Sequence, residues 1–218
     1  MSFVIHGIPG SPYVRSPLIA LEEKGAEYRL QALPFGTYRT PDYLRMQPFG
    51  KIPAFEHDGM TFYETQAFLR YLDRVMPSPA LAPRDARALL RMDQMLNIVD
   101  CYVAKNVSEG LSFGRVVAPK FGMPVDEAAI AAALPDAKVA IDEIARLLGG
   151  DAYMAGDALS LADIHLICHL DLLPLYAEGR ELLAPHPNLA AWIERMDARP
   201  SLKATTWERV TEMAAVSA

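Results

Sequence analysis

Residues 3–25 read FVIHGIPGSPYVRSPLIALEEKG, and the change of period inside this stretch sets the fold class. Phe3-Val4-Ile5-His6-Gly7 is a short apolar run closed by glycine and proline, the pattern of a buried strand. Leu18 to Lys24 has helical composition and stops at Gly25, a residue that readily takes the left-handed backbone of a helix end. Two serine–proline pairs lie between them. Ser11-Pro12 sits at the mouth of the helical segment. Ser16-Pro17 is itself a good N-cap with proline at the first helical position, which would start the regular helix near Ser16 and leave residues 11–15 in a loop or tight turn.

Reading outward, Tyr28 to Leu33 alternates as a second strand, and Asp42 to Met46 looks like a short helical turn. Ile52 to Glu56 and Met60 to Tyr63 flank His57-Asp58-Gly59, a hairpin with an Asp-Gly turn, and Thr65 to Val75 returns to helical spacing. Strand, helix, strand, short helix, hairpin, helix implies an α/β domain with a mixed four-stranded sheet. Three prolines within the seven positions 77–83 then exclude a continuous helix and mark a linker. Everything beyond it is helical: Arg84 to about Glu109, Asp126 to Leu148 with a kink or restart at Pro135, Ser160 to Ala177, Asn188 to Ala198, and a closing segment from Ser201. The expectation is two domains, residues 1–78 and an all-α domain of residues 84–218.

A net charge of −6 and no basic run argue against a nucleic-acid partner. No stretch of 18 apolar residues exists, so no membrane span is expected. The start MSFVIHGIPG lacks the basic and long apolar regions of a secretory signal, and the two cysteines, Cys101 and Cys168, form no CxxC pair. A reducing, cytoplasmic setting is expected. His165 and His169 stand four apart, a spacing that suits a metal, but the surrounding LADIHLICHLDLL is that of a core helix, so no metal site is expected.

GSPYVRSPLIALEEKG (10–25), PFGKIPAFEHDG (48–59) and FYETQAFLRYL (62–72), in this order after a strand, resemble the thioredoxin-like domain of cytosolic glutathione transferases. GDALSLADI (156–164) resembles the helical-domain signature of the same superfamily, and the resemblance covers nearly the whole chain. Its flavour is similar to the serine-type phi and tau classes and their bacterial relatives.

That resemblance implies a glutathione-binding first domain and a helical domain contributing the electrophile pocket. Ser11 would hold the thiol of glutathione as thiolate: a hydroxyl at a helix N-terminus can donate to an anion where the unpaired N–H groups also favour one. Alone, Ser11 reads as a simple helix cap; the surrounding motifs turn the reading to a thiol-activating role. Tyr13 is the alternative thiol donor. Ile52-Pro53 resembles the family's cis-proline, whose preceding residue pairs its backbone with the cysteinyl part of the tripeptide. Glu64 would meet the ligand's ammonium, and Thr65, capping the next helix, would offer its hydroxyl and N–H to the γ-glutamyl carboxylate. Lys51 and Arg39 would bind the glycine carboxylate, Arg39 with Tyr38 standing where the phi pattern has a His-Lys pair.

The electrophile pocket is expected between the domains, with Pro9, Tyr13, Phe35, Ser112, Phe113 and Val116 as lining candidates. Ser160 and Asp163 read as a capping box with a structural role only. The implied activity is conjugation of glutathione, as co-substrate, to apolar electrophiles by a homodimer. A glutathione-dependent peroxidase or isomerase and a non-catalytic ligand-binding module are the rival readings.

Overall fold

The structure, a computed structural model, describes residues 2–216. β1 (Phe3–Gly7) runs parallel to β2 (Tyr28–Ala32) and antiparallel to β3 (Ala54–His57), which pairs with β4 (Met60–Tyr63); the sheet order is β2-β1-β3-β4. Parallel neighbours need a crossover, and α1 (Pro12–Lys24) supplies it. α2 (Pro41–Leu44) precedes β3, and Asp58 and Gly59 turn the hairpin with φ of 50° and 76°, the sign such a two-residue loop demands. Ile5, Leu30 and Phe55 share one buried sheet face, and α3 (Thr65–Val75) packs there, with Phe68 stacked on Phe55 at 4.3 Å.

The first unit reaches Leu81 rather than ending at residue 78, and one cation explains why. Lys24 is buried, and its ammonium donates to Asp73 Oδ1 (2.6 Å), the Met76 carbonyl (2.6 Å) and the Pro79 carbonyl, while the same Asp73 oxygen accepts from Leu81 N (2.7 Å). All three ammonium donors are satisfied, so the segment after α3 is drawn onto the sheet domain.

The second unit spans Ala82 to Asp197. Asp85 caps α4 (Ala86–Ile98), accepting from the N–H groups of Arg87 and Ala88, and the helix continues past the expected Glu109 as a π-helical stretch (Val99–Val117) and α5 (Ala118–Lys120). The wider helix moves the periodicity towards four: Val99, Val103, Val107 and Leu111 are buried, and Asp100, Ser108 and Ser112 follow one position later with polar partners. α6 (Glu127–Leu148) does not restart at Pro135; that proline and Ala131, whose carbonyl loses its donor, are both exposed, so no buried carbonyl is stranded by the missing N–H. α7 (Leu161–Leu170) stops short of Ala177 because Pro174 follows within a 3₁₀ turn, and a further short helix, α8 (Ala177–Leu183), precedes α9 (Pro187–Asp197).

The residues from Ala198 on group with the sheet unit, not with the helices before them as expected. α10 (Pro200–Ala204) and α11 (Trp207–Val216) form this return. Arg199 grips the Glu23 carboxylate of α1 with two hydrogen bonds of 2.8 Å, and the Ser201 hydroxyl donates to the same carboxylate (2.5 Å). Sequence periodicity saw only another helical segment; a long-range ion pair decided its allegiance.

Candidate active site

The sheet register gathers the sequence-predicted residues at one end. His6 faces Ala54 and Ala54 faces Tyr63, so the turn after β1, the Ile52-Pro53 peptide before β3 and Glu64 after β4 all leave the sheet on the same side. Ile52-Pro53 is cis; a second cis bond, Ser78-Pro79, was not anticipated.

Ser11 is the N-cap of α1, with extended backbone (φ −65°, ψ 129°) and Pro12 as the first helical residue. The helix therefore begins at the first Ser-Pro pair, not at Ser16. Two compensations make this possible. Ser16, fully buried, turns its hydroxyl back to the Pro12 carbonyl (2.9 Å) instead of capping. Pro17 has no N–H for the carbonyl four residues back, that of Tyr13, and the Thr65 hydroxyl donates to that carbonyl at 3.0 Å instead. The Ser11 hydroxyl itself makes no capping bond and has no hydrogen-bond partner among the described residues. It stands half-buried at the positive end of a 13-residue helix, able to donate to an anion.

Thr65 differs from its expected role. It is the first residue of α3 rather than the cap, and its hydroxyl proton is engaged by the Tyr13 carbonyl, while its backbone N–H is one of those that the start of a helix leaves without an intrahelical acceptor. Glu64 is the cap residue, held at φ 78°, a conformation costly for a side chain with a Cβ, and it is exposed.

Lys51 is set by two residues that sequence reasoning missed. Buried Gln47 accepts the Lys51 N–H on Oε1 (3.1 Å), and the buried Tyr43 hydroxyl donates to the Lys51 carbonyl (2.9 Å). Burial pushes the Tyr43 hydroxyl up to about 12, so it stays a neutral donor. Tyr43 and Gln47 are four apart, the spacing that puts two side chains on one helical face, and that was the readable signal. Arg39 ends a 3₁₀ turn and lies over the residue before Lys51: a Cβ on Gly50 would meet Arg39 Cγ at 3.2 Å. The Arg39, Lys51 and Glu64 charges have no ion-pair partner among the described residues.

The proposed pocket residues scatter. Pro9 and Tyr13 are half-buried beside Ser11, and Phe35 is exposed. Phe113 and Val116 are half-buried on the π-helical stretch, whereas Ser112 turns inward, its hydroxyl 3.0 Å from that of buried Tyr176. Ser112 is therefore an interior residue, because the wider helix rotates it away from the face that a 3.6-residue period assigns.

Ser160 and Asp163 form a closed box. The buried Asp163 carboxylate accepts on Oδ2 from Ser160 N (2.9 Å) and Oγ (2.7 Å), and on Oδ1 from Met154 N (2.8 Å) and Trp192 Nε1 (2.9 Å). His165 Nε2 donates to Asp100 (2.9 Å), and His169 Nδ1 shares a hydrogen bond with Ser108 Oγ (2.7 Å), so both histidines tie α7 to the long helix. Among the described residues no three His, Cys, Asp or Glu side chains gather as for a metal, and no helix is long and apolar enough to cross a membrane.

The family models of the glutathione S-transferase N-terminal and C-terminal domains match residues 1–74 and 92–200. The chain belongs to the glutathione S-transferase family. It is 30% identical over 209 residues to glutathione S-transferase 3 of Zea mays, covering 92% of this chain and 91% of that one. A glutathione S-transferase of Hyoscyamus muticus is 26% identical over 216 residues, 97% and 99% of the two chains. Among solved structures, glutathione S-transferase III in its apo form superposes with a TM-score of 0.83 at 27% identity, over 94% and 95% of the chains. The four-stranded mixed sheet followed by a helical domain is the glutathione S-transferase fold.

Proposed function

We propose that this protein is a serine-type glutathione transferase, in which Ser11 stabilises the glutathione thiolate for attack on apolar electrophiles. The observation that carries the reading is the Ser11 hydroxyl: a capping serine at a long helix N-terminus whose hydroxyl has no partner among the described residues. A free thiol has a pKa near 8.5, and each unit by which it is lowered needs roughly 1.4 kcal/mol of preference for the anion. A hydrogen bond donated to the sulfur and the partial charge of α1 supply about two units together.

Glutathione carries two carboxylates and one ammonium, and the unpaired charges match it. In this reading Lys51 and Arg39 take the glycine carboxylate, Glu64 takes the ammonium, the Thr65 N–H takes the γ-glutamyl carboxylate, and the Ile52 backbone pairs with the cysteinyl peptide. Pro9, Tyr13 and Phe35 are the residues of the sheet unit we assign to the electrophile. The nucleophile belongs to glutathione; the protein contributes orientation and anion stabilisation. A homodimer and a cytoplasmic setting complete the reading, the latter supported by two cysteines outside any disulfide, exposed Cys101 and buried Cys168.

Conjugation of a chloronitrobenzene-type electrophile, with glutathione affinity by calorimetry, tests the assignment. Turnover that falls in Ser11→Ala, with affinity held at a pH below the wild-type thiol pKa, is the expected result. Tight glutathione binding without turnover on any electrophile would make the protein a binding module instead. Light scattering on the eluted peak reads the oligomeric state.

A further inference from the structure

The turn that carries Ser11 is held from outside. Gly10 has φ +86°, and Ser11 N donates to the Ile8 carbonyl (3.2 Å), closing a tight turn directly before α1. A Cβ built on Gly10 would lie 2.7, 2.8 and 3.0 Å from Cδ2, Cε2 and Cε3 of Trp207. The indole therefore rests against the glycine backbone at a distance that no other residue at position 10 allows. Trp207 opens α11, where Val210, one turn on, is buried. The same returning segment holds the other end of α1 through Arg199, Ser201 and Glu23. Residues 199–210 thus brace α1 at both ends.

Bracing matters here because glycine is the residue least confined by its own sterics. It takes positive and negative φ with similar ease, so an unsupported Gly10 lets the turn sample other geometries. A hydrogen-bond donor stabilises a developing or resident anion only when it is already aimed at it. We propose that Trp207 is a positioning residue for Ser11: its indole closes on left-handed Gly10 and keeps the Ser11 hydroxyl aimed at the glutathione sulfur. This rests on the assignment of Ser11 as thiolate donor.

The test is the pH dependence of kcat/KM for the electrophile at saturating glutathione, which reads the thiol in the protein–glutathione complex, measured on the full chain as wild type, S11A, W207A, W207F, W207L and G10A. The apparent thiol pKa is expected to rise by about one unit in W207A, a loss of about tenfold in turnover below the wild-type pKa that disappears at high pH. Glutathione affinity by calorimetry, taken below the wild-type thiol pKa where the bound thiol is protonated in every variant, stays within about twofold, because the charges that hold the tripeptide lie elsewhere. W207F, which keeps a flat ring over Gly10, returns the profile most of the way to wild type. G10A disturbs the turn both through the ring and through the strain of a Cβ at φ +86°, so it shows at least the W207A shift. W207L, which keeps an apolar side chain in place but no flat ring on Gly10, shows the W207A shift and decides the matter if W207A does not fold. A wild-type profile in W207A or W207L, with a raised pKa in S11A, overturns the bracing role alone. A wild-type profile in S11A overturns the Ser11 assignment, and this inference with it.

Discussion

Two serines cap two helices in this chain, Ser11 ahead of α1 and Ser160 ahead of α7, both with extended backbone (φ −65°, ψ 129° and φ −131°, ψ 170°). Ser160 is fully buried, and its N–H and hydroxyl both donate to Asp163. Ser11 is half-buried, and its hydroxyl has no hydrogen-bond partner among the described residues. By residue type and position the two are alike. What separates them is whether the fold has already taken the donor: a cap whose hydroxyl is sealed serves stability, and one whose hydroxyl is left open is available to a ligand.

The hardest blow to this contrast falls on the sealed cap. Asp163→Ala strands the N–H groups of Met154 and Ser160 and the Trp192 indole in the interior, and stability is expected to fall by about 3–5 kcal/mol in a denaturant melt. Full stability with lost turnover would mean that the box is not structural. Ser11→Ala is the mirror experiment. It removes no capping bond, so stability should stay within about 0.5 kcal/mol, while kcat/KM near neutral pH falls about 10–10²-fold, the hydroxyl's share of the two units it supplies together with the helix.

Thr65→Val extends the contrast to a third hydroxyl. It leaves the Tyr13 carbonyl without its donor inside α1, at an expected cost of about 1–3 kcal/mol, and Thr65→Ser recovers it. A large loss of glutathione affinity at unchanged stability would return the Thr65 hydroxyl to the ligand. The smallest effect is graded with pH. Burial, with the neighbouring His165, holds His169 well below its ordinary pKa, so the folded protein keeps it neutral while the unfolded chain titrates it normally near about 6.5. Protons then bind the unfolded state first. Stability is full above that pH and falls below it by up to about 1.4 kcal/mol per pH unit, a slope that His169→Gln should flatten in melts taken across this range.

The strand-helix-strand opening, the Asp-Gly hairpin and the proline-rich break were legible because each rests on local rules that act within a few residues. The capping box at Ser160 and Asp163 was legible for the same reason, though not its reach to Met154 and Trp192. The start of α1 was ambiguous: two Ser-Pro pairs compete locally, and the winner depends on Thr65, 52 positions from Tyr13. The inward turn of Ser112 was hidden because its helix departs from the 3.6-residue period on which face assignment relies.

Taken by itself, the sequence determined the α/β domain, the helical remainder and the residue types that suit glutathione, since periodicity, turn chemistry and side-chain charge are written in order along the chain. Tertiary structure decided which hydroxyls remain open, which backbone holds Lys51, and which unit claims the C-terminal segment. Those outcomes turn on partners distant in sequence, such as Thr65 with Tyr13, Arg199 with Glu23 and Trp207 with Gly10. A donor can be taken only once, and only the folded chain brings the competitors for it into reach.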